Sequence, residues 1–374
     1  MLVRISGETK NYPWGSSHLI QDHLGLGSSG QPLAEVWFGT HPQGESKVLS
    51  SGKNLSEQLG SRLSFLVKFL AADKPLSIQA HPNAAQAKAG FDRENSAGLA
   101  LDDPTRNYKD DSAKPELLLA LSAFRALCGF RPTAEILEIF LAFSGTEPRF
   151  GELAALVATD SSLETLLSEL LQDTELAKRF DSTVVSIEGD SLAESARVLA
   201  SQLLSQYPGD TGALVALVLN LVELSPGQAI YLPAGNLHAY LSGLGIEVMA
   251  ASDNVIRAGL TQKHIDKSEL LNIAAFQSLL EPVVLPRKLA EGLSEYEVAA
   301  EQFRVYKADV TGTNLLADLD LPGSALVVCV SGEVAVSTSL EEREVLRKAE
   351  VVYLSDAKKF SLSGSGSVFV ILGS

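Results

Sequence analysis

The sequence predicts a mainly β protein with an α-helical insertion. Short apolar runs rich in β-branched and aromatic residues, each ended by Gly, Pro or Ser, fill residues 1–131 and recur after residue 219. Between them, from Pro132, apolar residues recur at helical spacing, and Leu163 and Leu166 belong to one such stripe. Many short strands separated by Gly, Ser and Pro turns are typical of a jelly-roll or a barrel.

We expect three domains, with boundaries where the apolar period changes. They are a discontinuous β domain over 1–131 and 219–281, a helical domain over 132–218, and a second β domain over 282–374. The helical segment contains no histidine. Packing in a core explains its leucine spacing, so we assign it no chemistry.

Composition narrows the class of protein. The 374 residues carry 30 Lys and Arg against 46 Asp and Glu, a net charge of −16, which argues against general nucleic-acid binding. Cys128 and Cys329 lie in apolar runs, which excludes a disulfide framework. With no leader-like opening and no run of about 18 apolar residues, we expect a cytoplasmic protein without membrane association. We expect a monomer.

One charged residue interrupts an apolar run in the first β region. Leu55, Leu59, Leu63 and Leu66 are spaced as one stripe of a helix, so we expect a helix there. The apolar run that follows this stripe contains Lys68.

The most informative stretch is Tyr231–Lys263, which carries one histidine, two carboxylates, one arginine and one lysine. Gly243 and Gly245 predict a bend between two short strands. His238 and Glu247 are then both near turns, and sites gather where loops are held on a rigid scaffold.

Two other segments place polar groups on strands. Ser77, Gln79 and His81 alternate with apolar residues, so on a strand they share one face. Lys114 and Glu116, two residues apart, open another apolar strand.

Four of these side chains form a candidate metal site: Gln79, His81, Glu116 and His238. Imidazole and carboxylate suit Zn²⁺, Fe²⁺, Mn²⁺ or Co²⁺, and the lack of thiolate argues against a closed structural zinc site. On spacing alone, the alternative that each histidine is simply buried in a core stays open.

Basic residues close to these positions indicate an anionic ligand such as a sugar phosphate. Lys114, Arg257 and Lys263 lie near the candidate ligands in a protein of net charge −16. The alternative is that Arg257 pairs with Asp253, four residues away, on the surface.

The longest motif is Ser252-Asp-Asn-Val-Ile-Arg-Ala-Gly-Leu-Thr-Gln-Lys. Together with Gln79-Ala-His-Pro, Lys114-Pro-Glu and His238-Ala-Tyr-Leu, it resembles the type I mannose-6-phosphate isomerases, also called phosphomannose isomerases, of the cupin superfamily. The resemblance spans residues 10–270, and the tail is similar only in its β character.

This resemblance implies a cupin jelly-roll catalytic domain, a helical domain and a second, degenerate cupin-like C-terminal β domain. It implies one Zn²⁺ per chain, held by Gln79, His81, Glu116 and His238. The reaction it implies is the interconversion of mannose 6-phosphate and fructose 6-phosphate, a small-molecule sugar phosphate pair, through an enediol(ate).

The resemblance also implies roles for the other candidate residues. Arg257 matches the active-site arginine, and Glu247 and Asp253 match polar pocket positions. The proton carrier stays open between these two carboxylates and a metal-bound hydroxide. The matches for phosphate or pocket positions are Lys68, Ser77, Lys114, Tyr240 and Lys263, and Trp14 is expected to wall the pocket.

The sequence departs from the family pattern at two places. Ser112-Ala113 stands where many members have Asn-His before Lys-Pro-Glu, so that histidine cannot be the universal base. Gln262 stands where Leu-Thr-Pro-Lys usually has proline. Neither departure touches an expected metal ligand.

Two other functions stay open from the sequence. One is a cupin that binds a metal or sugar phosphate without turnover, and the other is an isomerase of another sugar phosphate, such as glucose 6-phosphate. A shared fold hosts many chemistries and cannot decide between them.

Overall fold

The computed structural model describes residues 1–27, 30–160, 162–186, 191–317, 323–355 and 359–373. Strands occupy both ends of the chain, and six of the helices follow one another between Thr133 and Leu217. The predicted mainly β class with a helical insertion is confirmed.

The helices are α1 (Leu19–Leu24), α2 (Leu55–Leu59), α3 (Ala84–Ser96), α4 (Thr133–Ser144), α5 (Arg149–Asp160), α6 (Leu163–Gln172), α7 (Thr174–Thr183), α8 (Ser191–Gln206), α9 (Gly212–Leu217) and α10 (Lys267–Ile273), with a 3₁₀ turn at Val184–Ser186.

The strands are β1 (Leu2–Ser6), β2 (Glu8–Lys10), β3 (Glu35–Phe38), β4 (Thr40–His41), β5 (Gly44–Glu45), β6 (Lys47–Val48), β7 (Phe65–Ala72), β8 (Ile78–Ala80), β9 (Glu116–Ala120), β10 (Phe124–Phe130), β11 (Leu219–Leu224), β12 (Ala229–Leu232), β13 (His238–Ala250), β14 (Ile256–Gly259), β15 (Val283–Val284), β16 (Arg287–Ala290), β17 (Leu293–Tyr296), β18 (Phe303–Ala317), β19 (Ser324–Thr338), β20 (Arg343–Arg347), β21 (Val351–Ser355) and β22 (Phe360–Gly373).

Strand β13 lies at the centre of the larger, 11-stranded sheet. Its second half pairs with β7 on one side and β9 on the other. Its first half pairs with β10 and β8, and β14 continues the sheet beyond β8. The stretch singled out from the sequence is therefore the element on which the neighbouring strands are assembled.

The prediction of two strands with a bend between them was wrong, because β13 is one continuous strand. Gly243 pairs with Ala72, and Gly245 pairs with Leu70, so the ladder runs through both glycines. Gly243 has a φ of +119°, and a β-carbon there would lie 2.6 Å from the carbonyl oxygen of Ala123. Glycine is needed at position 243 because a neighbouring strand packs closely against it, and not because the chain turns there.

The helix expected from the leucine stripe is only partly present. Helix α2 ends at Leu59, where Gly60 adopts a left-handed φ of 69° and caps it. Leu66 then belongs to strand β7, together with Lys68. The leucine spacing continues past Gly60, so it does not show that the helix ends there. The β-prone segment that follows forms β7, which pairs with β13.

The leucines of the helical segment lie in an apolar core, as expected, and this core also includes residues of the neighbouring strands, such as Ile78 and Leu241. Leu163 and Leu166 are buried, and Phe143, Phe150 and Phe180 form a cluster with ring centroids 5.1–5.7 Å apart. Each buried side chain of this size contributes roughly 1.5–3 kcal/mol. This packing accounts for the leucine pattern without any chemical role.

The second sheet has nine strands and contains β16 to β22. Strands β1 and β6 also join it, with Leu2 opposite Leu354 and Ile5 opposite Val48. The first residues of the chain thus extend the C-terminal sheet, and the division into three domains stays a prediction.

Within the described residues, no helix is both long and apolar enough to cross a membrane.

Candidate functional site

Three of the four predicted metal ligands converge. His81 follows β8, Glu116 opens β9 and His238 opens β13. One ligand atom from each lies within 4.8 Å of the other two. The three residues are at most 2% exposed.

Backbone carbonyls orient both imidazole rings. Nδ1 of His81 lies 2.7 Å from the carbonyl oxygen of Asn254, and Nδ1 of His238 lies 2.9 Å from that of Asn236. Because a carbonyl only accepts, each Nδ1 carries a hydrogen, and each ring directs its Nε2 toward Glu116. Among the described residues, neither Nε2 atom has a hydrogen-bond partner.

The spacing of these atoms fits a metal ion. The Nε2 atoms of His81 and His238 lie 3.3 and 3.4 Å from the two carboxylate oxygens of Glu116. Ligand atoms about 2.0–2.1 Å from a tetrahedral zinc ion are about 3.4 Å apart. Two imidazoles and a carboxylate with an open position are also a donor set of catalytic zinc sites. Buried Nε2 and carboxylate atoms that face one another without hydrogen-bond partners in the described residues fit a bound cation.

Gln79 lies beside this cluster on β8. It is opposite His238 in one ladder and opposite Arg257 in the other. Directly opposed residues have β-carbons about 4.5–5.5 Å apart, so the side chain of Gln79 could contact the same ion or substrate as that of His238. Its role as a fourth ligand stays a prediction.

The electrostatics of the cluster favour the forms that bind a cation. Burial raises the pKa of Glu116, but the ammonium of Lys114, 3.0 Å away, and the two imidazoles outweigh it, so the pKa lies well below its usual range. Burial lowers the pKa of His81 to about 4. An ionised carboxylate and a neutral imidazole are therefore both present near neutral pH.

Next to the cluster, a row of side chains crosses three strands. Glu247 on β13 is opposite Lys68 on β7, which is opposite Trp37 on β3. Lys68 Nζ lies 2.8 Å from Glu247 Oε2, and the hydroxyl of Tyr240 donates to Glu247 Oε1 at 2.8 Å. All four residues are buried. The predicted carboxylate, lysine and tyrosine thus form one connected group.

Burial shifts the titration of this group. It raises the pKa of Glu247; the ammonium of Lys68 opposes this shift, and the carboxylate of Glu116 adds to it. Burial also raises the pKa of Tyr240, and the neighbouring Glu247 carboxylate adds to the shift. Glu247 is therefore a stronger base than an exposed glutamate.

Glu35 is a part of this group that the sequence analysis missed. Its Oε1 lies 3.5 Å from Lys68 Nζ, and its Oε2 accepts from Trp37 Nε1 at 2.9 Å. Burial lowers the pKa of Lys68, but the carboxylates of Glu247 and Glu35 raise it by more than burial lowers it. The net shift of the Lys68 pKa is therefore upward. A carboxylate within the apolar run Ala34-Glu-Val-Trp-Phe was the signal available in the sequence.

Asp253 does not pair with Arg257, so the surface ion pair considered from the sequence is wrong. Asp253 Oδ1 lies 3.3 Å from His41 Nε2, and its Oδ2 accepts from Gln43 Nε2 at 3.0 Å. Burial raises the pKa of Asp253, but the hydrogen bond and charge of His41 lower it more. His41 was missed because it is distant from Asp253 in the sequence and only the fold brings the two together.

Arg257 and Lys263 are cations for which the described part of the chain supplies no carboxylate partner. Arg257 is half-buried and Lys263 is exposed. Among the described residues, neither forms an ion pair within 4.0 Å. Loss of hydration lowers the pKa of Arg257, and loss of hydration together with the Arg257 charge lowers that of Lys263. Two neighbouring unneutralised cations favour an anion.

Lys114, Ser77 and Trp14 are placed around these groups. Lys114 contacts Glu116, as described, and Ser77 is half-buried two residues before Gln79. Trp14 packs against the apolar cluster that contains Tyr240. Their contacts with a substrate stay predictions.

Fold and site together define a cupin-type protein with a buried metal centre beside unpaired cations. The family profile "Phosphomannose isomerase type I, catalytic domain" matches residues 2–133. Mannose-6-phosphate isomerase of Salmonella typhimurium is 31% identical over 98% of each chain. The chain therefore belongs to the type I phosphomannose isomerase family, and the resemblance inferred from its motifs is confirmed.

Two further comparisons agree with this assignment. Human mannose-6-phosphate isomerase is 32% identical over 96% of this chain and 94% of its own. The crystal structure of the Salmonella typhimurium enzyme, bound to substrate (f6p) and zinc, matches with a TM-score of 0.86 and 30% identity, covering 100% of this chain and 99% of that one. The predicted cupin-type fold class is thus confirmed along the whole chain.

Proposed function

We propose that this protein is a zinc-dependent isomerase that interconverts mannose 6-phosphate and fructose 6-phosphate. The observation that carries the proposal is the convergence of His81, Glu116 and His238, whose facing atoms His81 Nε2, His238 Nε2 and Glu116 Oε2 have no hydrogen-bond partner within the described residues. Relatives named mannose-6-phosphate isomerase, and the related structure that holds f6p and zinc, support it.

His81, Glu116 and His238 would hold one Zn²⁺ per chain, with Gln79 as the fourth protein ligand. When bound, the ion would act as a Lewis acid toward the carbonyl and hydroxyl oxygens of the sugar. The three convergent ligands come from one chain, so the metal site needs no second subunit, and we propose a monomer. A charged sugar phosphate stays in the aqueous compartment where it is formed, and we propose the cytoplasm as that compartment.

Glu247 is the side chain best suited to move the proton. The reaction removes a proton from the carbon beside the carbonyl and returns one to the neighbouring carbon, through an enediol(ate). Contacts with Tyr240 and Lys68 hold the Glu247 carboxylate in place, and burial raises its pKa. Asp253 has a lowered pKa, so it is the weaker base.

Arg257 and Lys263 would bind the negatively charged oxygens of the substrate. Arg257 lies one strand from His238, across Gln79, so we assign it to the oxygen that becomes negative in the enediolate. Lys263 is more exposed and receives the phosphate as a point charge. Lys68, Lys114, Ser77 and Trp14 complete the pocket.

Arg257→Lys is expected to lower kcat about 10²-fold, the usual loss when one donor to a developing oxyanion is removed. Lysine keeps the charge but lacks the planar fork of donors. The comparison variant is Lys263→Met, which should mainly raise KM because it weakens phosphate binding. A near-wild-type kcat with a raised KM in Arg257→Lys would instead make Arg257 a phosphate contact.

The activity itself is tested by a coupled assay on purified protein, with metal analysis in parallel. We expect turnover of mannose 6-phosphate, loss of turnover on chelation, and recovery when Zn²⁺ is added. Glucose 6-phosphate serves as the competing substrate. Binding of either sugar phosphate without turnover would support a binding protein, and faster turnover of glucose 6-phosphate would support a different isomerase.

A further inference from the structure

Two loops meet beside the metal cluster. The glutamate loop, residues 106–115, precedes β9 and leads directly to Glu116. The aspartate loop, residues 251–255, joins β13 to β14 and contains Asp253. These loops lie more than a hundred residues apart in the sequence, so only tertiary contacts fix their relative position.

Asn254 of the aspartate loop binds the backbone of the glutamate loop. Its side chain is fully buried, and its Oδ1 accepts from the N–H groups of Lys109 at 2.7 Å and Asp110 at 3.2 Å. Its Nδ2 donates to the carbonyl oxygens of Asp110 and Ser112, both at 2.9 Å. A side-chain amide has two donor hydrogens and one acceptor oxygen, so Asn254 is saturated by the opposite loop.

Asp110 makes the reciprocal contacts from the glutamate loop. Its Oδ1 accepts from the hydroxyl of Ser252 at 2.8 Å, and its Oδ2 accepts from the N–H of Asp253 at 2.9 Å. Hydrogen bonds to an ionised carboxylate are stronger than those between neutral groups. Side chains from both loops therefore hold the two loops together.

The contacts of this loop pair reach two metal ligands. The carbonyl oxygen of Asn254 accepts the Nδ1 hydrogen of His81 at 2.7 Å and so orients that ring. The glutamate loop ends at Glu116, the first residue of β9. If the loops separate, His81 loses the acceptor that turns its Nε2 toward Glu116.

We propose that Asp110 and Asn254 are positioning residues that set the zinc affinity of the cluster by holding His81 and Glu116 in register. This inference rests on the proposed function for the identity of the ion. Loss of groups that orient metal ligands typically weakens metal binding about 10–100-fold. Asp110 acts through the ligands and is not itself assigned contact with the substrate.

The test is Asp110→Asn, which keeps the shape of the side chain but replaces one acceptor oxygen with a donor nitrogen. That nitrogen faces a backbone N–H in either orientation, that of Ser112 at the Oδ1 position or that of Asp253 at the Oδ2 position, so the loop contacts are weakened. The matched control is Asp111→Asn, which removes the same charge from the next residue, an exposed one. Zn²⁺ affinity is measured on the full-length protein by competition with a chromogenic chelator, without substrate.

We expect zinc to dissociate about 10–100-fold more readily from Asp110→Asn and to be held normally by Asp111→Asn. Ser252→Ala removes one hydroxyl donor and should weaken zinc binding about threefold, which keeps the test decisive if Asp110→Asn folds poorly. Equal zinc affinities in the wild type, Ser252→Ala and Asp110→Asn would overturn the proposal. A protein that binds zinc but does not isomerise mannose 6-phosphate would refute the proposed function and leave this comparison intact.

Discussion

Replacing His238 with alanine should abolish zinc retention and turnover together. His238 is 1% exposed and supplies one of three convergent ligand atoms, and its ring is already oriented by the carbonyl of Asn236. Without it, Glu116 and His81 would bind the ion only weakly. The measurement is zinc per chain after dialysis, together with kcat on mannose 6-phosphate, and both should fall to background.

The control for this prediction is His18→Ala. His18 is exposed at the start of α1, and its ring contacts only Ser16 among the hydrogen-bond partners described. This variant should retain zinc and activity. A His238→Ala protein that still carries one zinc per chain and turns over normally would remove His238 from the ligand set.

Glu247→Gln should lower kcat about 10²–10⁴-fold, the usual contribution of a positioned acid–base group. Glutamine keeps the size of the side chain but cannot accept a proton from carbon. Because Glu247 is not one of the convergent ligands, zinc content should remain one per chain. Loss of the exchange of the substrate's carbon-bound hydrogen with deuterium from the solvent would locate the defect at proton transfer.

Asp253→Asn is the matched comparison for Glu247→Gln, because both changes neutralise a carboxylate in the same pocket. Asp253 is engaged by His41 and Gln43, so we expect a smaller loss of kcat. If Asp253→Asn eliminates hydrogen exchange while Glu247→Gln retains it, Asp253 is the base instead.

The pH dependence of kcat/KM tests the role of Glu247 independently. A general base works only when deprotonated, so activity falls as the pH drops through its pKa. The pKa of Glu247 is raised by burial and by Glu116, against the opposing charge of Lys68. The acidic limb of kcat/KM should therefore lie above about 4.3, the usual glutamate value, and Glu247→Gln should lack it.

Much of the site could be predicted from the sequence because its residues lie on strands. Along a strand, alternate side chains share a face, so Gln79 and His81 could be grouped before any fold was known. Glu35 and His41 could not be connected to the site in this way. Their partners, Lys68 and Asp253, belong to other segments, and only cross-strand pairing and loop contacts join them.

Local spacing did not decide two contacts. Arg257 four residues after Asp253 left a surface ion pair open, but Asp253 turns toward His41 and Gln43. Gly243 and Gly245 indicated a bend, yet the ladder with β7 carries β13 through both of them. In each case a partner distant in sequence competes with the local interaction and prevails.

The sequence by itself determined the class of fold and the types of side chain at the site. The spacing of apolar residues and the identity of the candidate ligand residues can both be read from the sequence without the fold. Only the tertiary structure decided which candidate ligands meet, which carboxylate has a raised pKa, and which cations have no carboxylate partner among the described residues. These outcomes depend on burial and on contacts between residues far apart in sequence, and no local pattern encodes either.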